Sequence, residues 1–239
     1  MTAAIVALWL VLVVPFAAAL AALPPNGDTA WLLYVARAMN AGQTLGRDVL
    51  EINLPLILWL KQPVVLAADR LGLPSGTAFV SVVALAILAV VVCTERLLRH
   101  ADPPWNDRQR LLACAWLLFV ATFECGIAFG QREHLAAVAV MPYLVAVGLR
   151  WDGAVLPRVL ALVVGAAAGI GFGLKPFFVP TFAAAELALA YRRRSARIVL
   201  RAEAVACALV LATYAAAIPL AVPEWLASAR VYWPVYDRF

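Results

Sequence analysis

Charge is scarce in this sequence. Asp, Glu, Lys and Arg make up 14% of its 239 residues, where a soluble domain carries about 25%. Strand-type alternation of apolar and polar residues is also missing, and Ala and Leu dominate over Thr and Tyr, which argues against a β-barrel. The four cysteines, Cys93, Cys114, Cys125 and Cys207, include no pair at metal-binding or redox spacing. All lie in apolar blocks and read as small hydrophobes within helices. The formal charge of +5 and pI near 9.3 do not make the chain a nucleic-acid binder. Its arginines are spread between apolar blocks rather than gathered in one patch.

What is present is apolar: 65% of positions, with a mean hydropathy of +0.91. The residues come in blocks near the length of about 20 that a membrane-crossing helix needs. The expected fold is therefore all-α, a polytopic transmembrane bundle. The predicted spans are Ala3–Leu23, Thr77–Thr94, Leu111–Phe129, Leu135–Leu149, Val159–Leu174, Phe177–Tyr191 and Ile198–Val222, roughly seven in all. The first lacks a basic start and is long for a signal-peptide core, so it reads as an uncleaved span. The whole chain, 1–239, reads as one transmembrane domain, and residues 24–72 as an outer loop with one or two interfacial helices. The first of these has Trp31, Leu32, Val35, Ala38 and Met39 at helical spacing. The second, interfacial or partly inserted, covers Leu54–Leu71, with a full span there as the alternative. The close on Tyr236-Asp237-Arg238-Phe239, soon after a span, reads as that of a fragment or truncated frame.

Arginine placement sets an expected orientation. Arg96, Arg99, Arg108 and Arg110, then Arg150 and Arg158, then Arg192, Arg193, Arg194, Arg197 and Arg201 fall in loops on one side. By the positive-inside rule that side and the N-terminus are cytoplasmic. The opposite, outer side takes the 24–72 loop, the Gln131–His134 turn and Lys175-Pro176.

Candidate chemistry gathers on the outer side. Asp28, Asp48 and Glu51 are loop carboxylates, able to act as a general base or together to hold a divalent cation such as Mg or Mn. Against that, Asn26-Gly27-Asp28-Thr29 is a good N-cap signal, which gives Asp28 a capping role, and Asp48 and Glu51 read equally as solvated charges. Arg132 and Lys175 are candidates for a lipid phosphate, with a polar turn and a snorkelling lysine as the plainer alternatives. Glu133 and His134 support that turn, and His134 has no metal-ligand partner at diagnostic spacing. Glu124, inside an apolar block, is expected to face the bundle interior and pair with Arg132 or Lys175. Glu186 is a second such acid, nearer the cytoplasmic side. Gly165, Gly169 and Gly173 are spaced by four and read as a helix-packing face.

An ordered set of segments resembles the GT-C class of membrane glycosyltransferases that use polyprenyl-phosphate sugars, including protein mannosyltransferases and the aminoarabinose transferases of lipid A. An early span is followed by Gly27-Asp28 and a helix ending in Asn40-Ala41-Gly42-Gln43-Thr44-Leu45. Next comes Arg47-Asp48-Val49-Leu50-Glu51-Ile52-Asn53-Leu54-Pro55-Leu56, then Leu58-Trp59-Leu60 and Leu71-Gly72. Phe129-Gly130-Gln131-Arg132-Glu133-His134-Leu135 is similar to a turn in bacterial members. Leu54 stands where many members have a second proline, and no second acid follows Asp28. The resemblance implies an N-terminal module of a bacterial plasma-membrane enzyme working on the periplasmic or extracellular face. It implies sugar transfer from a polyprenyl-phosphate donor to an acceptor hydroxyl, with inversion. Asp28 would be the base, Arg132 and Lys175 would hold the phosphate, and Asp48 and Glu51 would bind acceptor or metal. A transporter or flippase, with Glu124, Arg132, Lys175 and the glycine-rich helix forming a polar path, is the competing expectation; an inactive membrane module is the third.

Overall fold

The computed structural model describes residues 1–236; Asp237 to Phe239, part of the abrupt close noted above, lie outside the described residues. The fold is all-α. Among the described residues ten α-helices follow one another: α1 (Thr2–Ala21), α2 (Gly27–Asn40), α3 (Leu56–Leu71), α4 (Ser75–Leu98), α5 (Asp107–Phe119), α6 (Arg132–Asp152), α7 (Arg158–Leu174), α8 (Val179–Arg193), α9 (Ala202–Ala221) and α10 (Pro223–Tyr236). Among the described residues there is no strand, only an isolated bridge between Leu45 and Val49. Two compact units emerge: Met1–Ala19 with Val83–Leu211, and Leu20–Val82 with Ala212–Phe239.

Among the described residues four helices, α1, α4, α6 and α9, are each long and apolar enough to cross a membrane, and the bent pair α7–α8 raises the number to five if it is taken as one span. The chain is an integral membrane protein by this measure. The count differs from seven for local reasons. The block Leu111–Phe129 is not one helix: α5 stops at Phe119 and gives way to a π-helical turn, Val120–Glu124, and a 3-10 turn, Gly126–Ala128. The blocks Val159–Leu174 and Phe177–Tyr191 form helices of 17 and 15 residues bent by 119° at Lys175-Pro176. Proline has no N–H to continue the α7 ladder, so the break falls there.

The larger unit is held by close backbone approach. Lipid tails are as apolar as the helices, so packing and hydrogen bonds hold helices together in a bilayer, and small residues allow them to approach. The glycine stripe of α7 does this on two faces. A Cβ on Gly165 would overlap the Glu203 carbonyl of α9, one on Gly169 would meet Val210 and the Cys207 carbonyl, and one on Gly171 would meet Val140 and Ala136 of α6. The packing role read from the spacing is thus seen at Gly165 and Gly169. Tyr143, Val164, Ala168, Phe172 and Cys207 fill the core between these helices.

Polar contacts give this unit two ends. At one, Arg193 of α8 donates to the Arg150 carbonyl of α6 at 3.1 Å and 2.7 Å. At the other, Lys175 of the α7–α8 bend pairs with Glu133 at the start of α6. α7 therefore runs back along α6, and α8 returns to the end from which α7 set out.

The smaller unit pairs α2 with α3. Leu32, Val35 and Ala38 are buried as their spacing predicts, while Trp31 is 44% exposed. Its indole N–H reaches instead to Glu51, at 2.5 Å. Asn40 and Gln62 exchange hydrogen bonds, and Arg37 pairs with Asp69 at 2.6 Å. The loop after α2 closes tightly on α10. Gly46, with φ of +91°, lies against the Glu224–Trp225 backbone, and any side chain there would overlap it. Trp225 is buried and donates to the Glu51 carbonyl at 2.7 Å.

Candidate functional site

The turn between α5 and α6 is where this sequence departs most from regular helix. Gly126 and Gly130 take positive φ, of 46° and 77°, conformations that favour glycine. His134 pins the turn. Its Nδ1 accepts the Gly130 N–H at 2.9 Å, so that nitrogen carries no proton; its Nε2 lies 2.7 Å from the Ala121 carbonyl of the π-helical turn and must donate. The ring is buried, with both nitrogens satisfied by backbone. His134 is a structural clamp on the turn.

Arg132 and Glu133 open α6 directly before it. Glu133 is exposed and pairs with Lys175 across the α7–α8 bend. Arg132 is half-buried, and its Nε is shielded from solvent with no hydrogen-bond partner. A buried guanidinium N–H left unpaired is rare and calls for an acceptor. Beside this polar corner lies a cavity of about 170 Å³ whose lining includes Glu133, Ala136, Val140, Gly171 and Phe172. Apart from Glu133 and Thr181 its walls are apolar. The structure thus brings Arg132, Glu133, His134 and Lys175 together at one end of the larger unit.

Glu124 does not join them. It closes the π-helical turn and is exposed, and Lys175 takes Glu133 as its partner. The expected inward orientation fails because the helix has lost its regular 3.6-residue phase by that point.

The loop carboxylates belong to the smaller unit and have separate surroundings. Asp28 does not cap α2. Asn26 does, its side chain accepting the Thr29 N–H at 2.9 Å. Asp28 is left half-buried in the first helical turn, where a negative charge suits the helix dipole. Asp48 is exposed and folded back on its own loop: it accepts the Thr44 N–H at 2.8 Å and pairs with Arg47 at 3.1 Å. The Arg47 hydrogen bond, helped by Thr44, pulls its carboxyl down from 3.8 to about 2. Glu51 is not a solvated charge. It is buried, one oxygen on the Trp31 indole and the other on the Asn53 N–H at 2.7 Å. Among the described residues no three His, Cys, Asp or Glu side chains converge in a way that could hold a metal ion. Asp28, Asp48 and Glu51 therefore offer no shared cation site.

One polar assembly was read in the sequence only at Glu186, the acid expected nearer the cytoplasmic side. At the end of the larger unit remote from Lys175, Glu203 is fully buried and receives Arg150 and Arg201, each at 2.9 Å. Arg201 also binds Glu186 at 2.6 Å, and Tyr143 donates to the same Glu186 oxygen. Other arginines serve a buried acid too: Glu95, with no exposed surface, pairs with Arg99 at 2.9 Å and Arg110 at 3.5 Å. The available signal was the position of Glu95 and Glu203 within a turn of arginines at the ends of apolar blocks.

No protein-family model, curated protein or solved structure matches this chain.

Proposed function

We propose that this chain is a membrane glycosyltransferase, or a module of one, that binds a polyprenyl-phosphate donor with its phosphate against Arg132 and Lys175. One observation carries the reading: the Arg132 guanidinium, with a shielded N–H that has no hydrogen-bond partner, and the Lys175 ammonium flank Glu133, which lines an apolar cavity. That combination suits an anionic head on a hydrocarbon tail. The arginine forks a phosphate through paired hydrogen bonds, the lysine adds a point charge, and isoprenoid carbons meet apolar walls. As transfer proceeds, the anomeric carbon–oxygen bond breaks and negative charge grows on the leaving phosphate. Fixed cations in a partly dry site stabilise that charge.

The base implied by the resemblance is Asp28. By that resemblance it would take the proton of the acceptor hydroxyl; Asp28 and the Arg132–Lys175 pair belong to different units of the fold. The release of Asp28 from capping leaves the carboxylate available for this work. Asp48 is held by its own loop and Glu51 by Trp31 and Asn53, so in this reading both shape the loop. The arginine-rich end faces the cytoplasm of a bacterial cell and the Lys175 end faces outward. The proposed transport path gains no support from the glycine-rich helix, since Gly165, Gly169 and Gly171 are packed against neighbouring helices.

Native mass spectrometry of the purified protein with polyprenyl phosphate tests the donor site. Wild type should retain the lipid, and Arg132→Ala/Lys175→Ala should lose it. Equal retention by both would remove the site. Asp28→Asn is the separate test of the base: donor binding should persist while sugar transfer falls by orders of magnitude, and full transfer would reject the assignment.

A further inference from the structure

Five arginines lie between Arg192 and Arg201, and the fold treats them in two ways. Arg201 turns inward to Glu186 and Glu203, and Arg193 folds onto the Arg150 carbonyl and against Gly153. The other three face out. Arg192 lies over the Trp151 ring at 5.8 Å, and Arg194 and Arg197 are exposed with no carboxylate partner among the described residues. Arg158, which opens α7 after the adjoining α6–α7 turn, is exposed and unpaired in the same sense. Asp152, also exposed, is the single acid on that turn.

The apolar side chains among these arginines are as telling as the charge. Tyr191 is 87% exposed, Val155 81%, Val159 75% and Leu200 71%. Water disfavours that much aliphatic and aromatic surface, and hydrocarbon disfavours guanidinium groups. Both are satisfied at the boundary of a bilayer, where apolar side chains enter the acyl region and arginines reach the headgroups. Unpaired arginines also select the sign of the headgroup, because a guanidinium and a phosphodiester match in charge and hydrogen-bond geometry.

We propose that Arg158, Arg192, Arg194 and Arg197 form a binding face for anionic phospholipid. The headgroup phosphate lies on the arginines, and Val155, Val159, Tyr191 and Leu200 border the acyl chains. Arg192, steadied over Trp151, gives the face a fixed point, while Arg193 and Arg201 hold the segment to the fold. This face is independent of the proposed donor site at the opposite end of the unit.

The full chain in detergent, titrated with phosphatidylglycerol or phosphatidylcholine and read by native mass spectrometry, provides the test. Wild type should prefer phosphatidylglycerol by about tenfold. Arg192→Gln/Arg194→Gln/Arg197→Gln should bind the two lipids equally, with phosphatidylcholine binding unchanged as the sign of an intact fold. Arg194→Gln and Arg197→Gln alone, at exposed positions without side-chain partners, should each reduce the preference in part. Absence of a preference in wild type, or its full survival in the single and triple variants, overturns the proposal.

Discussion

His134 illustrates how a residue that looks reactive in a sequence becomes structural in a fold. Its two ring nitrogens face one backbone donor and one backbone acceptor, so only the neutral form with hydrogen on Nε2 satisfies both. His134→Phe fills similar space but leaves the Gly130 N–H without its acceptor and the Ala121 carbonyl with only the Cys125 thiol. Leaving a buried polar group unsatisfied costs about 1–3 kcal/mol. Thermal unfolding in detergent should show a loss of that order or greater, and an unchanged melting temperature would show that the clamp does not form. Asp48 makes a pH prediction with a definite sign. Its folded value of about 2 lies below the ordinary 3.8, so its contact with Arg47 and Thr44 favours the folded loop at every pH above about 4. The contribution fades as pH falls from 3.8 through 2. The Thr44 amide, followed by NMR, should titrate near 2 in wild type and lose that transition in Asp48→Asn. A midpoint at 3.8 would mean the loop contact is absent in solution. In the sequence Asp48 and Glu51 look alike, two acids three residues apart. What separates them, an arginine folding back on one and a distant tryptophan reaching the other, is tertiary and has no local signature.

At the scale of elements, helix packing was easier to read than helix breaking. The four-residue spacing of Gly165 and Gly169 survives directly into the α7–α9 contact, because helical period places such residues on one face whatever the rest of the fold does. The π-helical turn after α5 was not legible: the block from Leu111 to Phe129 is apolar throughout its centre, and the interruption is fixed by His134 from the next helix. Two alanine substitutions separate packing from propensity. Gly148 of α6 has nothing within 4 Å of its would-be Cβ, whereas Gly165 meets the Glu203 backbone. Gly148→Ala should stabilise by about 0.5–1 kcal/mol through helix propensity alone. Gly165→Ala gains the same propensity but must push α9 away, and overpacking of this kind costs about 1–3 kcal/mol. Opposite signs in parallel melts would establish the close approach; two stabilised proteins would refute it.

For the whole molecule, composition announced a membrane protein without fixing how many times the chain crosses. Hydropathy measures whether a segment tolerates lipid, while a crossing also depends on where its ends are tied. In the larger unit the ties are specific. Lys175 is bound to Glu133 and Arg193 to the Arg150 carbonyl, so α7 and α8 each run the distance between the two ends of α6 although neither reaches 18 residues. A helix of 17 residues spans about 25 Å, close to the roughly 30 Å of a hydrocarbon core. Arginines near the ends can reach the headgroups and cover the difference. The arginines read as topology signals therefore have a second use, since Arg99, Arg110, Arg150 and Arg201 neutralise acids that the bundle buries. Single cysteines introduced by Gln131→Cys, Arg158→Cys, Phe177→Cys and Arg197→Cys, with the four native cysteines replaced, test the path of α7–α8 directly. A membrane-impermeant maleimide should label positions 131 and 177 from one side, and positions 158 and 197 from the other. If 158 and 177 were labelled from the same side, α7 would dip into the bilayer and return without crossing. The Lys175 corner would then face the same compartment as the arginine-rich loops, and the proposed separation of donor site from cytoplasmic face would fall with it.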